Sequence, residues 1–310
     1  MIKAVTVINH LGESLRMELG NPKTTGFLIN SITGLGPGSA SVNMTESSAK
    51  DGATFDSARL PSRNIVFTVE YLWAPTIEES RLKTYRYFPI KKQVVLIFET
   101  DKLTCSITGY IESNEPDMFR RDTNGQISIL CPDPYFYLFD GVNVTNFKST
   151  NFTSLEPKFE FPFENTDNVI PTIEFGLYNL TTEGNIPYEG DTETGVVITL
   201  ETRGNVAGTI YVANVRNTEQ QAIRLDTARI ERIVGSPIQD GDIITISTII
   251  DNKTAYLTRD GKEYNILSSL DVNSDWINLY KGDNLFIYTA DEGMEYLSLS
   301  VQHLTRYAGL

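Results

Sequence analysis

The stretch from residue 105 to residue 136 constrains this chain more than any other. Two strand-like runs, residues 105–112 and 126–130, flank a polar, turn-rich segment, and the second run ends in Cys131-Pro132-Asp133-Pro134. Proline has no N–H to give a sheet ladder and cannot sit inside a helix. The chain must therefore leave its sheet at this point. Tyr135-Phe136-Tyr137 and then Phe139 follow, an aromatic cluster that has to be buried against something. The segment reads as the last strands of one domain and a proline-stiffened exit from it.

Ahead of that exit, residues 5–8, 15–19 and 27–29 are short strand-like runs, with a turn at Asn21-Pro22. Gly34, Gly36 and Gly38 alternate in GLGPGSA, but the spacing matches neither phosphate-binding glycine pattern, Pro37 interrupts it, and no helix follows. A tight loop is the expectation. Residues 45–64 are polar and aperiodic, a long hairpin arm turning at Asp51-Gly52, and a long exposed excursion usually serves a binding partner. Residues 65–73 are the clearest strand. Thr76 and Glu79 form a capping box opening a helix over residues 76–87, in which Leu82 and Tyr85 share a face, and Pro89 stops it. Strands at 94–98 and 105–111 complete the first half.

Beyond Asp140 the pattern becomes short strands at close spacing with no strong helix. They fall at 158–163, 172–178, 196–199, 208–212, 221–225, 243–249, 254–258, 283–288 and 296–303, with turns at Asp240-Gly241 and Asp260-Gly261. The fold class is mainly β: an N-terminal β-rich domain with one helix and a long hairpin arm, then a C-terminal β-sandwich of the jelly-roll kind. The division is residues 1–138 and 139–310, with the joint at the start of the second part.

A chain of 310 residues suits two domains that each bury a core. The apolar run 94–98 is far below the roughly 20 residues a membrane-spanning helix needs. The N-terminus lacks the apolar core of a signal peptide, so synthesis and folding in a cytoplasm are expected. Cys105 and Cys131 then read as reduced core thiols rather than a disulfide, and the sequons at Asn43, Asn143, Asn151, Asn179 and Asn252 carry little meaning. Of the net charge of −14, residues 1–138 contribute −1 (14 bases, 15 acids) and residues 139–310 contribute −13 (12 bases, 25 acids). So acidic a chain has no general attraction for nucleic acid.

Catalytic equipment is sparse. His10 and His303 are the only histidines and fall in different halves, which leaves little for a histidine metal site or a Ser-His-Asp array. Asp271, Asn273 and Asp275 alternate like calcium-loop ligands, but Trp276 stands where the loop needs glycine and Gly282 where it needs its bidentate acid. Asp133 is expected to orient its turn by accepting from nearby amides. No catalytic, cofactor-binding or metal residue is assigned, no cofactor is called for, and the expectation is not an enzyme. Trp276, Tyr280 and Tyr288 could form a stacking platform for sugars, or be core and interface aromatics.

In order and spacing, several motifs carry a resemblance. GLGPGSA (34–40), the Asp-Gly at 51–52, Arg-Asn-Ile (63–65), YRYFP (85–89), GYIES (109–113) and QISILCPDPYF (126–136) resemble the distal tail proteins of long non-contractile-tailed bacteriophages. GDIITIST (241–248), Asp260-Gly261, Ser274-Asp275-Trp276, LYKGDN (279–284) and Tyr307-Ala308-Gly309 are similar to that family's C-terminal galectin-like sandwich. Residues 179–195 are too few for the inserted carbohydrate-binding module of larger relatives. The resemblance implies a structural hub at the tail tip or baseplate. It implies a homohexameric ring closed by residues 1–138, with the sandwiches outward and a channel for the tape-measure protein and then DNA in passage. Partners implied are the major tail tube protein, a tail-associated lysin or hub protein, and receptor-binding proteins, in a virion assembled in the host cytoplasm. The alternative is a carbohydrate-binding host-adsorption module built on the sandwich.

Overall fold

The structure is a computed structural model that describes residues 1–46, 51–73, 76–118, 123–141, 147–157, 176–180, 182–216 and 219–310. It divides into two compact units, Met1–Asn146 with Arg306–Leu310, and Phe147–Thr305. The last five residues thus belong to the first unit, which a single cut at 138 and 139 does not provide for.

The first unit contains β1 (Ile2–Ile8), β2 (Ser14–Glu18), β3 (Phe27–Thr33), β4 (Ser41–Glu46), β5 (Ala53–Arg59), β6 (Arg63–Tyr71), α1 (Ile77–Tyr87), β7 (Gln93–Thr100), β8 (Thr104–Pro116), β9 (Asn124–Cys131) and β10 (Phe136–Leu138). Its main sheet runs β2-β1-β7-β8-β9-β6-β3, every pairing antiparallel. β10 leaves the prolines to pair with β8 on one side and with the short terminal strand Arg306–Tyr307 on the other. Period-2 burial is clean in β6, where Ile65, Phe67, Val69 and Tyr71 all point into the core. Phe67 stacks on Phe98 at 6.4 Å between centroids, and Phe98 meets Phe136 edge-on at 5.9 Å. Phe136 is therefore the buried member of the expected aromatic cluster.

The helix forms where its capping box places it, with Thr76 Oγ1 accepting from the Glu79 amide at 3.2 Å. Its buried face differs from the one the apolar pair suggests. Ser80 and Thr84 face inward, their hydroxyls bonded to the Leu72 and Arg81 carbonyls, while Leu82 and Tyr85 face solvent. Phe88, just past the helix, supplies the apolar anchor, 6.1 Å from Phe67. No described helix is long and apolar enough to cross a membrane.

The second unit holds β11 (Phe147–Asn151), β12 (Thr153–Pro157), β13 (Gly176–Leu180), β14 (Glu183–Tyr188), β15 (Thr194–Thr202), β16 (Ala207–Arg216), β17 (Glu219–Asp226), α2 (Thr227–Val234), β18 (Ile243–Ser247), β19 (Thr254–Arg259), β20 (Lys262–Asn265), β21 (Asn278–Leu279), β22 (Gly282–Glu292) and β23 (Leu297–Leu304). One sheet runs β11-β23-β15-β18-β19-β20 and the other β14-β22-β16-β17, and β12 pairs with β13. Ile198, Leu200, Ile246 and Val301 of the first sheet share one core with Ile210, Val212, Phe286 and Tyr288 of the second, the interior of a β-sandwich. The expected strand at 158–163 lies outside the described residues, as does most of the one at 172–178.

The helix α2 is an element the strand pattern does not anticipate. Asp226 caps it by accepting from the Ala228 and Arg229 amides, and Gly235 ends it at φ 91°, the left-handed conformation that favours glycine. Only eight residues long, it buries Ile230 in the sandwich core.

Candidate assembly surface

The polar excursion folds into a two-stranded arm. β4 and β5 pair only with each other, and none of their residues is buried. Asn43 opposes Ser57 while Met44 opposes Phe55, so Asp56 is an extra residue that bulges the hairpin. Directly opposed residues share a face. Val42 and Ala58, Met44 and Phe55, and Glu46 and Ala53 therefore lie on one side, and Asn43, Thr45, Thr54 and Ser57 on the other. The polar side is bonded within itself, Asn43 Nδ2 to Ser57 Oγ at 3.1 Å and Thr45 Oγ1 to Asp56 Oδ2 at 2.5 Å. The apolar side is open, with Met44 60% and Phe55 62% exposed. An isolated two-stranded hairpin is marginal in water, and this one pairs with no other described strand.

The arm springs from a knot at Arg63, the first residue of β6. Arg63 is 6% exposed. Its Nε donates to the Pro134 carbonyl at 2.6 Å, its Nη1 to the Gly34 and Gly36 carbonyls at 2.6 Å each, and its Nη2 to the Ala308 carbonyl at 2.5 Å. The guanidinium also lies 4.7 Å from the Phe136 ring centre. One side chain thus ties the glycine loop, the proline exit and the terminal residues to the root of the arm. Gly34 sits at φ 83°, and a Cβ there would fall 2.1 Å from the Asn64 carbonyl oxygen. The alternate glycines are a tight loop whose carbonyls are turned onto an arginine.

Beside the knot, Asp133 takes the turn-orienting role expected of it. Its Oδ1 accepts from the Tyr135 amide at 3.1 Å, and its carboxylate also accepts from the Tyr137 hydroxyl. Burial, then that hydrogen bond, raises the Tyr137 pKa above its ordinary value. Arg306 covers the Tyr135 ring at 4.0 Å and reaches Asp133 at 3.7 Å. Cys105 and Cys131 are buried and not joined in a disulfide, and burial pushes the Cys131 thiol up to about 12, away from thiolate chemistry.

In the second unit the calcium-like triplet closes on itself. Asp271 Oδ1 accepts from the Asn273 amide at 2.8 Å and from its side chain at 3.0 Å, and the first of these holds the Asp271 carboxyl below its ordinary pKa. Among the described residues no group of three or more His, Cys, Asp or Glu could hold a metal ion. Nor do Trp276, Tyr280 and Tyr288 form a common platform. Tyr288 is 0% exposed because the alternation of β22 turns it and Phe286 inward. Tyr280 accepts from Gln221 Nε2 at 3.1 Å and lies under Arg216. His303 is 3% exposed and set edge-on to Tyr188. Its Nδ1 has no partner, and burial lowers its pKa to about 4.

The LYKGDN motif has a mechanical role that its composition does not disclose. Asn284, 0% exposed, accepts from the Tyr280 amide at 3.0 Å and donates to the Ile186, Tyr280 and Gly282 carbonyls. A second buried amide, Asn214, donates to it at 3.2 Å. The Asn thus closes the turn into β22.

Sequence reasoning missed the gathering function of Arg63 and the apolar side of the arm. Alternation across the turn at Asp51-Gly52, Val42 and Met44 against Phe55, could have found the second. The first could not be found locally, because its four acceptors come from three distant segments.

A mainly β chain of two units, the first with an unpartnered arm and the second a sandwich, is a fold found among solved structures. The crystal structure of the SPP1 Dit protein, described as a paradigm of the hub adsorption apparatus in phages infecting Gram-positive hosts, matches with a TM-score of 0.60 over 97% of this chain and 98% of that one, at 11% identity. Two structures of the phage P2 baseplate in its activated conformation also match, with calcium (12% identity, TM-score 0.41, 97% and 98% covered) and with strontium (11%, 0.42, 96% and 97%). At those scores they add nothing to the fold assignment. No family model and no curated protein matches the chain.

Proposed function

We propose that this chain is a structural hub of a phage tail tip or baseplate, closing through its first unit into a six-membered ring around a central channel. The observation that carries the reading is the arm, a hairpin with one side self-bonded and the other offering Val42, Met44 and Phe55 to a partner its own unit does not contain. A ring contact is heterologous and uses two different patches per subunit, and an arm reaching a neighbour provides one of them. The full-length likeness to a hub protein supports the same role.

Charge fits this arrangement. Residues 1–138, with a balance of −1, can pack closely in several copies, whereas the balance of −13 beyond them suits a peripheral, solvated position. The ring joins the tail tube to a tail-associated hub or lysin and to receptor-binding proteins. It lets the tape-measure protein and DNA pass without gripping them. The role is architectural rather than catalytic, carried out in a virion whose parts assemble in the host cytoplasm. Light scattering on the purified protein tests it: six copies of a 34.7 kDa chain give about 208 kDa. Deleting residues 46–58 should leave a folded monomer, and a hexamer that survives the deletion overturns the role given to the arm.

A further inference from the structure

The second unit carries a cavity of about 240 Å³ between β17 and the loop 267–276. Leu267, Leu270 and Trp276 form its apolar wall, and Asp271, Ser274 and Asp275 its polar one. We infer that this cavity binds a neutral hexopyranose, one sugar residue of a surface glycan, independently of whether the chain forms a ring.

The chemistry of the lining selects that ligand class. The volume suits a single six-membered ring and is small for the drug-sized ligands of larger pockets. A pyranose offers one apolar C–H face and a rim of hydroxyl donors, and the cavity opposes an indole and two leucines to carboxylate acceptors. Among the described residues Asp275 has no side-chain hydrogen bond or ion pair, so its oxygens are open to accept. Asp271 spends Oδ1 on Asn273 and keeps Oδ2. Ser274 Oγ accepts from the Arg224 amide and donates to the Arg224 carbonyl, which leaves it one lone pair.

Charge excludes the anionic alternatives. The lining holds two carboxylates and no base. Arg224 and Arg229 add to the Asn273 bonds that hold the Asp271 carboxyl down, yet both are bonded, Arg224 Nη1 to the Asn273 carbonyl at 2.9 Å and Arg229 Nε to Asp226 at 3.2 Å. Phosphate-bearing polymers and acidic sugars would still meet the like charge of Asp275. Lys253, 5.1 Å from the Trp276 ring centre, stiffens the indole without entering the lining.

Fluorescence on the full chain tests this. The sequence has two tryptophans, so Trp73→Phe, at a residue 78% exposed, leaves Trp276 as the reporter. Titration with glucose, galactose and N-acetylglucosamine should give a saturable change for at least one of them. A midpoint on the order of 1 mM is expected for so small a ligand. Asp275→Ala should melt like the parent and weaken binding by about tenfold or more. No saturable change with any of the sugars, binding unaltered by Asp275→Ala, or preferential binding of glycerol phosphate would each overturn the proposal. A monomer that binds sugar would uphold it while sinking the ring, and a ring without sugar binding would do the reverse.

Discussion

At the scale of single residues, the decisive group is a buried cation that bonds only to carbonyls. Arg63 has no carboxylate partner among the described residues, and burial lowers its pKa from the ordinary arginine value. Four backbone acceptors from three segments replace the water it gives up. Truncation would strand those carbonyls, so Arg63→Ala should destabilise the first unit by about 3–5 kcal/mol in denaturant melts. Arg63→Lys should recover little of it, since an ammonium cannot span the fork. His303 gives the second unit a pH dependence. Its folded-state pKa of about 4 lies below the ordinary 6.5, so between those values the unfolded chain binds the extra proton. Stability should fall as pH drops from 6.5 to 4, by up to about 3 kcal/mol, and level off below that. Replacing His303 with Gln should flatten the dependence, measured as the midpoint of thermal unfolding against pH.

At the scale of elements, the arm and α2 make opposite demands. The arm contributes nothing to its own unit's core, so Met44→Asp with Phe55→Asp should shift the monomer's stability by less than about 0.5 kcal/mol. The same pair should abolish assembly, read as a loss of the high-mass species in light scattering. The helix α2 buries Ile230 in the sandwich core and depends on its cap. Asp226→Ala leaves the Ala228 and Arg229 amides without their acceptor and should cost about 1 kcal/mol. Its ends were readable in the sequence, an Asp before it and Gly235 after it. They went unread because a run of eight residues among close-spaced strands gives too few turns for a helical period to stand out.

At the scale of the whole molecule, two units of different character share one chain, and the C-terminus returns to the first of them. Residues 306–310 pair with β10, reach Arg63 through Ala308, and bond Leu310 to the Leu35 carbonyl at 3.0 Å. Removing the last five residues should therefore lower the unfolding midpoint of the first unit, even though the sandwich precedes them in sequence. Differential calorimetry on the truncated chain checks it: a loss confined to the second unit's transition would contradict this account.

Residue order alone did not determine β11, β12, β14 or β20 of the second unit. It did determine most strands of the first unit, the first helix with its cap, the proline exit and the hairpin turn. Each of these depends on local chemistry: alternation of side chains, a missing N–H, a side-chain oxygen three residues from an amide. The uneven charge was equally plain. Tertiary structure alone decided which face of α1 is buried, because Phe88 beyond the helix and the hydroxyls of Ser80 and Thr84 outweigh the apolar pair Leu82 and Tyr85. It also decided that Tyr288 lies within the core, where the alternation of β22 turns it, while Trp276, outside any strand, is partly buried against the same core and edges a cavity. Arg63 shows the limit most clearly. An arginine's partners are fixed by where distant carbonyls arrive, and the sequence places those carbonyls only through the completed fold.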